Sequence, residues 1–279
     1  GAWLWVISPL PYVGRAWMVV GIDTCKQARD GSMIQTVCAS TNTYFTSYHT
    51  TWRVQASDDS LADGMVPPGK LLKEAILKYY DENYRLPDTL VVYRGGVSES
   101  QEAALLDCEV YNPEGGLLET LVAVSEEVNL SEPELNRWKE RLQIAYILVR
   151  RGTNARFMTE KEENLPSGTY ISDGVITDRD NAEDSKLFDF YMISQTYVVG
   201  TAKPTLYSVL YNTLSIERYD LIQLSYRLCA LYMTFSGMVS MPAPLKYAAK
   251  LLSLLSKCDS TPEEPSGSCV GWKPSLFFV

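Results

Sequence analysis

Cysteine and histidine, the residues most often used for metal binding and nucleophilic catalysis, are sparse in this chain of 279 residues. The single histidine is His49, which excludes zinc sites made of several histidines and argues against a Ser-His-Asp triad. The six cysteines are scattered without a Cys-x-x-Cys pair: Cys25, Cys38, Cys108, Cys229, Cys258 and Cys269. We therefore expect reduced thiols, as in the cytoplasm or nucleus, and no structural metal.

One acidic residue stands in a position that suits chemistry. Asp23 ends the apolar run WMVVGID (17–23), which predicts a buried central strand. The segments 31–40 and 41–55 are rich in Thr, Tyr and Val with a period of two, so they predict two further strands joined by a short turn. Three antiparallel strands that open with a buried acid indicate a ribonuclease-H-like beginning.

The rest of the chain predicts the elements that would position this acid. Further strands are expected at 88–94, 143–149, 188–194 and 204–212, and helices at 70–83, 98–106, 131–142, 215–235 and 243–257. Ser98 and Gln101 have the spacing of a capping box. The order predicts an α/β fold, a mixed β-sheet flanked by helices on both faces, as one domain over 1–279 with a mobile segment at 258–269.

The charge of the chain bears on its partners. The formal net charge is −9, whereas proteins that bind nucleic acid use Lys and Arg to neutralise phosphates. Strong autonomous RNA binding is therefore disfavoured, although local basic patches remain compatible with this total. No apolar run is long enough to cross a bilayer, so a membrane partner is not expected.

Five parts of the sequence carry recognisable motifs. They are MVVGID (18–23), LPDTLVVYRGGVSESQ (86–101), TNARFM (153–158) with PSGTYISDGVIT (166–177), FDFYMISQTYVVGTAKPTLYSVLYN (188–212) and LSYRLCALYMTFSGMVSMPAPLKYAAKLLSLL (224–255). In this order they resemble the PIWI domain of the Argonaute/Piwi family, with phrasing closer to the Piwi branch. The resemblance runs from about Trp3 to Ser256 and implies a ribonuclease-H-like fold that binds RNA under the guidance of a small RNA.

The resemblance also implies where a catalytic site would lie. Active members hold two Mg²⁺ ions with four side chains, because paired hard cations stabilise both oxygens of an in-line displacement. The first acid corresponds to Asp23, but the next position is occupied by Gly95 and the last by Ala249. Asp63 is the nearest candidate in the sequence for the position of the family's mobile glutamate. One assured carboxylate cannot hold two ions, so we predict an inactive endonuclease without a catalytic metal.

Several residues at family positions, most of them basic, are expected to contact nucleic acid. The residues so assigned by resemblance are Arg156, Lys203, Lys246, Tyr247, Lys250 and Val279. The terminal carboxylate of Val279 would bind a Mg²⁺ ion at the 5′ phosphate of the guide if a MID domain were present. No segment resembles the MID, PAZ or N domains of the family.

Three functions are compatible with the sequence. The first is small-RNA-guided RNA binding and silencing without slicer activity, with guide RNA, target RNA and proteins of silencing complexes as partners. The second is a protein-interaction scaffold that has lost RNA binding, which the net charge favours. The third is residual nuclease activity with Glu99 or Asp107 as a substitute ligand.

Overall fold

The computed structural model describes residues 14–27, 30–56, 65–128, 130–172 and 186–257. Within them, an eight-stranded sheet has the strand order β3-β2-β1-β4-β5-β8-β7-β6. The strands are β1 Trp17–Lys26, β2 Met33–Ser40, β3 Tyr48–Gln55, β4 Thr89–Arg94, β5 Gln143–Arg150, β6 Thr169–Ile171, β7 Asp189–Ile193 and β8 Thr205–Asn212. β1, β4 and β5 are parallel and the other pairings are antiparallel, which confirms a mixed sheet.

Helices cover both faces of this sheet, as predicted. They are α1 Gly69–Asn83, α2 Glu102–Leu105, α3 Leu117–Glu127, α4 Glu132–Arg141, α5 Arg218–Leu228 and α6 Ala243–Leu255. Side chains of α5 and α6 form one core with Val19 of β1, and those of α1, α3 and α4 form a second core with Met18 and Val20. The alternation follows from the period of two along a strand, and it places odd-numbered residues of β1 on the α6 face.

Local signals explain several of these elements. α4 begins with a capping box, in which the side chains and backbone of Ser131 and Glu134 bond reciprocally. The pair Ser98 and Gln101 also forms the expected bond, since the Ser98 backbone N–H donates to Oε1 of Gln101 at 3.2 Å. The helix there is irregular, however, because α2 has one turn and continues as a π-helix over Leu106–Val110.

Two predictions about elements were wrong in detail, and one helix was missed. Residues 41–47 form a turn rather than the start of β3, and the Thr41 N–H donates to the Ser47 carbonyl at 2.9 Å. α3 was not predicted at all. The predicted helix 215–235 ends at Leu228, and the segment 229–241 that follows is a loop closed by a hydrogen bond from Val239 N to Cys229 O at 3.0 Å.

No helix in the described segments combines the length and apolar character that a membrane span requires.

Candidate functional site

Two residues singled out by the sequence, Asp23 and Gly95, lie with Arg151 at one edge of the sheet. Asp23 lies near the end of β1, and Gly95 and Arg151 directly follow β4 and β5. Because these three strands are parallel and adjacent, their carboxyl ends share an edge. Lys203 reaches the same edge from the other side, since the first residues of β8 pair antiparallel with the last residues of β5.

Asp23 points towards α6 and is partly buried. Gly21 lies two residues before Asp23 on β1. It lets α6 approach the strand closely, because a Cβ there would lie 2.3 Å from the backbone nitrogen of Leu245. Oδ1 of Asp23 accepts a hydrogen bond from the Thr24 backbone N–H at 3.0 Å. Burial raises the pKa of Asp23, and the nearby charges of Arg94 and Arg151 offset part of that rise.

Positions 95 and 249 surround this carboxylate. The Gly95 N–H donates to the Ile22 carbonyl at 2.9 Å, which brings it beside Asp23. A Cβ at position 95 would lie 3.2 Å from Oδ1 of Asp23 and 3.2 Å from Cδ1 of Leu245. Ala249 follows Leu245 by four residues on α6, and residues at that spacing share a helix face. The fold therefore places positions 23 and 95 side by side, and position 249 lies one helical turn after Leu245, the α6 residue next to position 95.

The donors at this place do not suit a pair of Mg²⁺ ions. Divalent hard cations need several carboxylate or carbonyl oxygens, and glycine and alanine at positions 95 and 249 have no side-chain oxygen. Within the described ranges, no three His, Cys, Asp or Glu side chains cluster closely enough to hold a metal ion. Asp63 lies outside these ranges, as does the side chain of Glu99, and Asp107 is exposed on the π-helix.

A basic cleft lies at the same edge of the sheet as Asp23, and Arg151, whose charge acts on Asp23, belongs to its wall. It has a volume of about 540 Å³, and its walls include Arg151, Lys246, Ala249 and Lys250. Burial lowers the pKa of Lys246, and the charges of Arg151 and Lys250 lower it further, so Lys246 is close enough to both cations to be repelled by them. The ammonium of Lys246 lies 5.9 Å from the centre of the Tyr232 ring, within cation–π range. An anion in the cleft would relieve the repulsion among these cations.

Tyr247, in contrast, does not reach the cleft surface. Its side chain is fully buried, with the rings of Tyr48 and Tyr232 at 5.1 and 4.9 Å. Its hydroxyl accepts a hydrogen bond from Met233 N at 2.8 Å and donates to Leu231 O at 3.2 Å. The expectation that Tyr247 contacts RNA directly is corrected here, because its surface and its hydroxyl are taken up by the protein. It anchors the loop 229–241.

The other basic residues assigned by resemblance are exposed at the same edge. Arg156 bonds to the carbonyls of Thr153 and Ala155 at 2.7 and 2.6 Å, which fixes the guanidinium against its own loop. Lys203 is exposed just before β8. The Thr153 hydroxyl donates to Pro204 O at 3.1 Å and so links these two loops. Val279 lies outside the described residues, so its assignment stays a prediction.

A buried ionic cluster next to this site was missed by the sequence reasoning. The guanidinium of Arg94 bonds to both carboxylate oxygens of Glu109, at 2.7 to 3.0 Å, and both residues are at most 1% exposed. The Tyr146 hydroxyl donates to the same carboxylate. Arg94 also donates to Thr24 Oγ1 at 3.0 Å and to the Gly95 carbonyl. Arg151 was missed too, although its place directly after an apolar strand is a signal for it.

Comparison with known proteins agrees with this geometry. Residues 2–259 match the family model described as Piwi domain. Protein piwi of Drosophila melanogaster is 33% identical over 256 residues, which cover 90% of this chain and 27% of that protein. The chain thus spans about a quarter of the length of such curated relatives.

Solved structures show the same architecture. The crystal structure of Drosophila Piwi matches with a TM-score of 0.75 at 27% identity, over 97% of this chain and 33% of that one. The crystal structure of Kluyveromyces polysporus Argonaute with a guide RNA matches with a TM-score of 0.63 at 20% identity, over 86% of this chain and 28% of that one, which shows a shared fold. The ribonuclease-H-like fold expected from the motifs is confirmed.

Proposed function

The chain belongs to the Piwi domain family, and from that premise we propose that it is a module for small-RNA-guided RNA binding and silencing that does not cleave its target. The chain spans about a quarter of the length of its curated relatives. Guide loading and silencing, which concern a whole protein, are therefore part of the proposal. The same proposal includes a Mg²⁺ ion between the carboxylate of Val279 and a guide 5′ phosphate. It also includes silencing-complex proteins as partners and the cytoplasm or nucleus as location.

The surroundings of Asp23 carry the proposal that the module does not cleave. Two-ion hydrolysis needs carboxylates on more than one side of the metal pair. Position 95 would hold its Cβ 3.2 Å from Asp23 Oδ1, so an acid there would face the same ions, but the residue is glycine. Ala249 contributes no ligand from the helix above. A lone, partly buried Asp23 is what such a site would leave after losing its other ligands.

The basic cleft supports the proposal that RNA still binds. Arg151, Lys246 and Lys250 share one cleft of about 540 Å³ within a chain of net charge −9. Cations held close together in an otherwise acidic protein lose stability by mutual repulsion, and phosphate groups compensate that repulsion. Arg156 and Lys203 extend the positive charge along the same edge of the sheet.

The test measures binding and cleavage in one titration. A 5′-phosphorylated single-stranded guide and a complementary labelled target are incubated with the protein in Mg²⁺ or Mn²⁺ across a salt series. We expect salt-dependent binding and an intact target. The double substitution Lys246→Gln/Lys250→Gln should lower the slope of log K against log salt by about 0.7 for each lost phosphate contact. Cleavage that disappears with Asp23→Ala would contradict the proposal.

A matched control uses two lysines remote from the cleft. Lys73 and Lys78 lie on α1, on the opposite face of the sheet. The double substitution Lys73→Gln/Lys78→Gln changes the net charge by the same amount, so it separates local phosphate contacts from the overall charge. We expect this control to leave the salt slope unchanged.

The second function, a protein-interaction scaffold that no longer binds RNA, is favoured by the net charge of −9. The same titration distinguishes the two, because a scaffold would show no RNA binding even at low salt. Retained binding with a steep salt slope would exclude it.

A further inference from the structure

An aromatic ring stands on the wall of the basic cleft. Phe235 belongs to the loop 229–241, and it lines the cleft together with Arg151, Lys246 and Lys250. The loop is closed by the bond from Val239 to Cys229 and is held by the hydroxyl of Tyr247. Neither the motifs nor the proposed phosphate contacts account for a large apolar side chain in this place.

The ring of Phe235 is exposed to solvent beside the three cations. Its side chain is 53% exposed. A Cβ at position 237 would lie 2.8 Å from Cε1 of Phe235, so the ring lies close to the backbone of Gly237. A ligand that covers this ring removes apolar surface from water, which favours binding.

The juxtaposition of an exposed aromatic ring and three cations matches one kind of ligand. A nucleotide presents a flat base and a phosphate, and stacking on an aromatic ring combined with basic phosphate contacts is how proteins hold single strands. The cleft volume falls within the range of about 300–1,000 Å³ that is common for ligand sites. In a duplex the faces of the bases are covered by their neighbours, so the ring can reach only an unpaired base.

We propose that the cleft binds an unpaired RNA nucleotide, with its base stacked on Phe235 and the adjoining phosphates contacting Arg151, Lys246 and Lys250. This inference rests on the proposed RNA binding and specifies it further. It assigns the cleft to a single-stranded part of an RNA rather than to a paired one.

The experiment separates stacking from phosphate contact by the choice of probe. Binding of the full chain is measured by fluorescence anisotropy with a labelled oligoadenylate and with an abasic strand of the same length and phosphate count. Phe235→Ala should weaken binding of oligoadenylate about tenfold and leave the abasic strand and the salt slope unchanged. Lys246→Gln should weaken both strands alike and lower the salt slope.

Three further variants serve as controls. Phe235→Trp should retain or strengthen oligoadenylate binding, whereas Phe235→Leu, which keeps the apolar packing on Gly237, should weaken it as alanine does. Tyr219→Ala removes an aromatic ring that is equally exposed, at 53%, on α5, and should change nothing.

The outcomes distinguish this inference from the proposed function. If Phe235→Ala weakens both strands equally or neither, while Lys246→Gln still lowers the salt slope, the stacking assignment is overturned and RNA binding stands. If the unsubstituted chain binds neither strand at low salt, both proposals are overturned.

Discussion

Two polar groups of residues meet at the end of β4, and they differ in how completely their charges are paired. On one side, the guanidinium of Arg94 is fully bonded to Glu109, Thr24 and the Gly95 carbonyl. On the other side, Asp23 has no acidic neighbour at positions 95 or 249. The first group is an ionic network that is paired in the core, and the second is a partly buried carboxylate whose pKa is raised by its own burial.

The buried network ties together the chain segments around Asp23. Arg94 bonds to Thr24 on β1 and to the carbonyl of Gly95 after β4, so it joins the two segments that bring positions 23 and 95 side by side. Glu109, on the π-helix, neutralises the charge of Arg94. We therefore expect the backbone geometry at positions 23 and 95 to depend on this network.

The largest expected effect comes from breaking the buried network. Glu109→Gln would leave the charge of Arg94 in a site that is 1% exposed without its counter-ion. Removing one partner of a buried ion pair costs about 3–5 kcal/mol, so we expect a loss of that size in the free energy of unfolding. Urea denaturation monitored by circular dichroism measures it.

The control for this substitution is an exposed ion pair. Glu82→Gln removes the partner of Lys78 on α1, where both side chains are about 40% exposed. Surface pairs of this spacing contribute about 0.5 kcal/mol at most. Equal losses for the two substitutions would mean that the Arg94 network does not hold the end of β4.

This contrast also marks what could be predicted from the sequence. The apolar run before Asp23 and the motif around Gly95 indicated where those residues lie, because both depend on local pattern. Glu109 could not be placed, since the stretch LDCEV carries two acids among apolar residues and nothing local marks which of the two is buried. Its burial depends on Arg94 and Tyr146, which reach it from other strands.

The same limit applies to the loop that carries Phe235. The segment 215–235 has helical periodicity throughout, but α5 ends at Leu228. The reason lies on α6, where the Tyr247 hydroxyl bonds to Leu231 O and Met233 N in the loop. This contact joins residues more than a dozen positions apart and competes with the local preference for a helix. It could not be predicted from the neighbouring residues alone.

A second substitution introduces an acid beside Asp23. Gly95→Asp would place a carboxylate close to Oδ1 of Asp23, since a Cβ at position 95 lies 3.2 Å from it. Two carboxylates that share a site repel each other, so we expect the free energy of unfolding at pH 7 to fall by about 1–3 kcal/mol. Differential scanning calorimetry with and without Mn²⁺ measures the loss.

Two related variants sharpen this prediction. Gly95→Asn has nearly the same size without the charge, so it should cost less than Gly95→Asp. Adding Ala249→Asp to Gly95→Asp should let Mn²⁺ raise the unfolding temperature, because three carboxylates then face one another. If Asn and Asp at position 95 cost the same, packing against Leu245 rather than charge explains the loss.

The smallest expected effect concerns Asp23 itself. Burial raises its pKa above the ordinary value of 3.8, although Arg94, Thr24 and Arg151 act in the other direction. The folded state therefore holds the proton more tightly than the unfolded state, and the stability contributed by Asp23 is present below pH 3.8 and lost as the pH rises through the folded pKa. Asp23→Asn should accordingly match the unsubstituted chain near pH 4 and exceed it in stability at pH 7.

Glu74→Gln should show the opposite sign. Burial raises the pKa of Glu74, but the hydrogen bond and charge of His49 and the hydrogen bond of Thr51 outweigh burial and keep the pKa below 4.5. This variant should therefore lose stability at pH 7. Urea titrations at both pH values measure the two differences, and a loss of stability at pH 7 for Asp23→Asn would mean that the ionised carboxylate is held by cations strongly enough to stabilise the fold, as a retained ligand position would be.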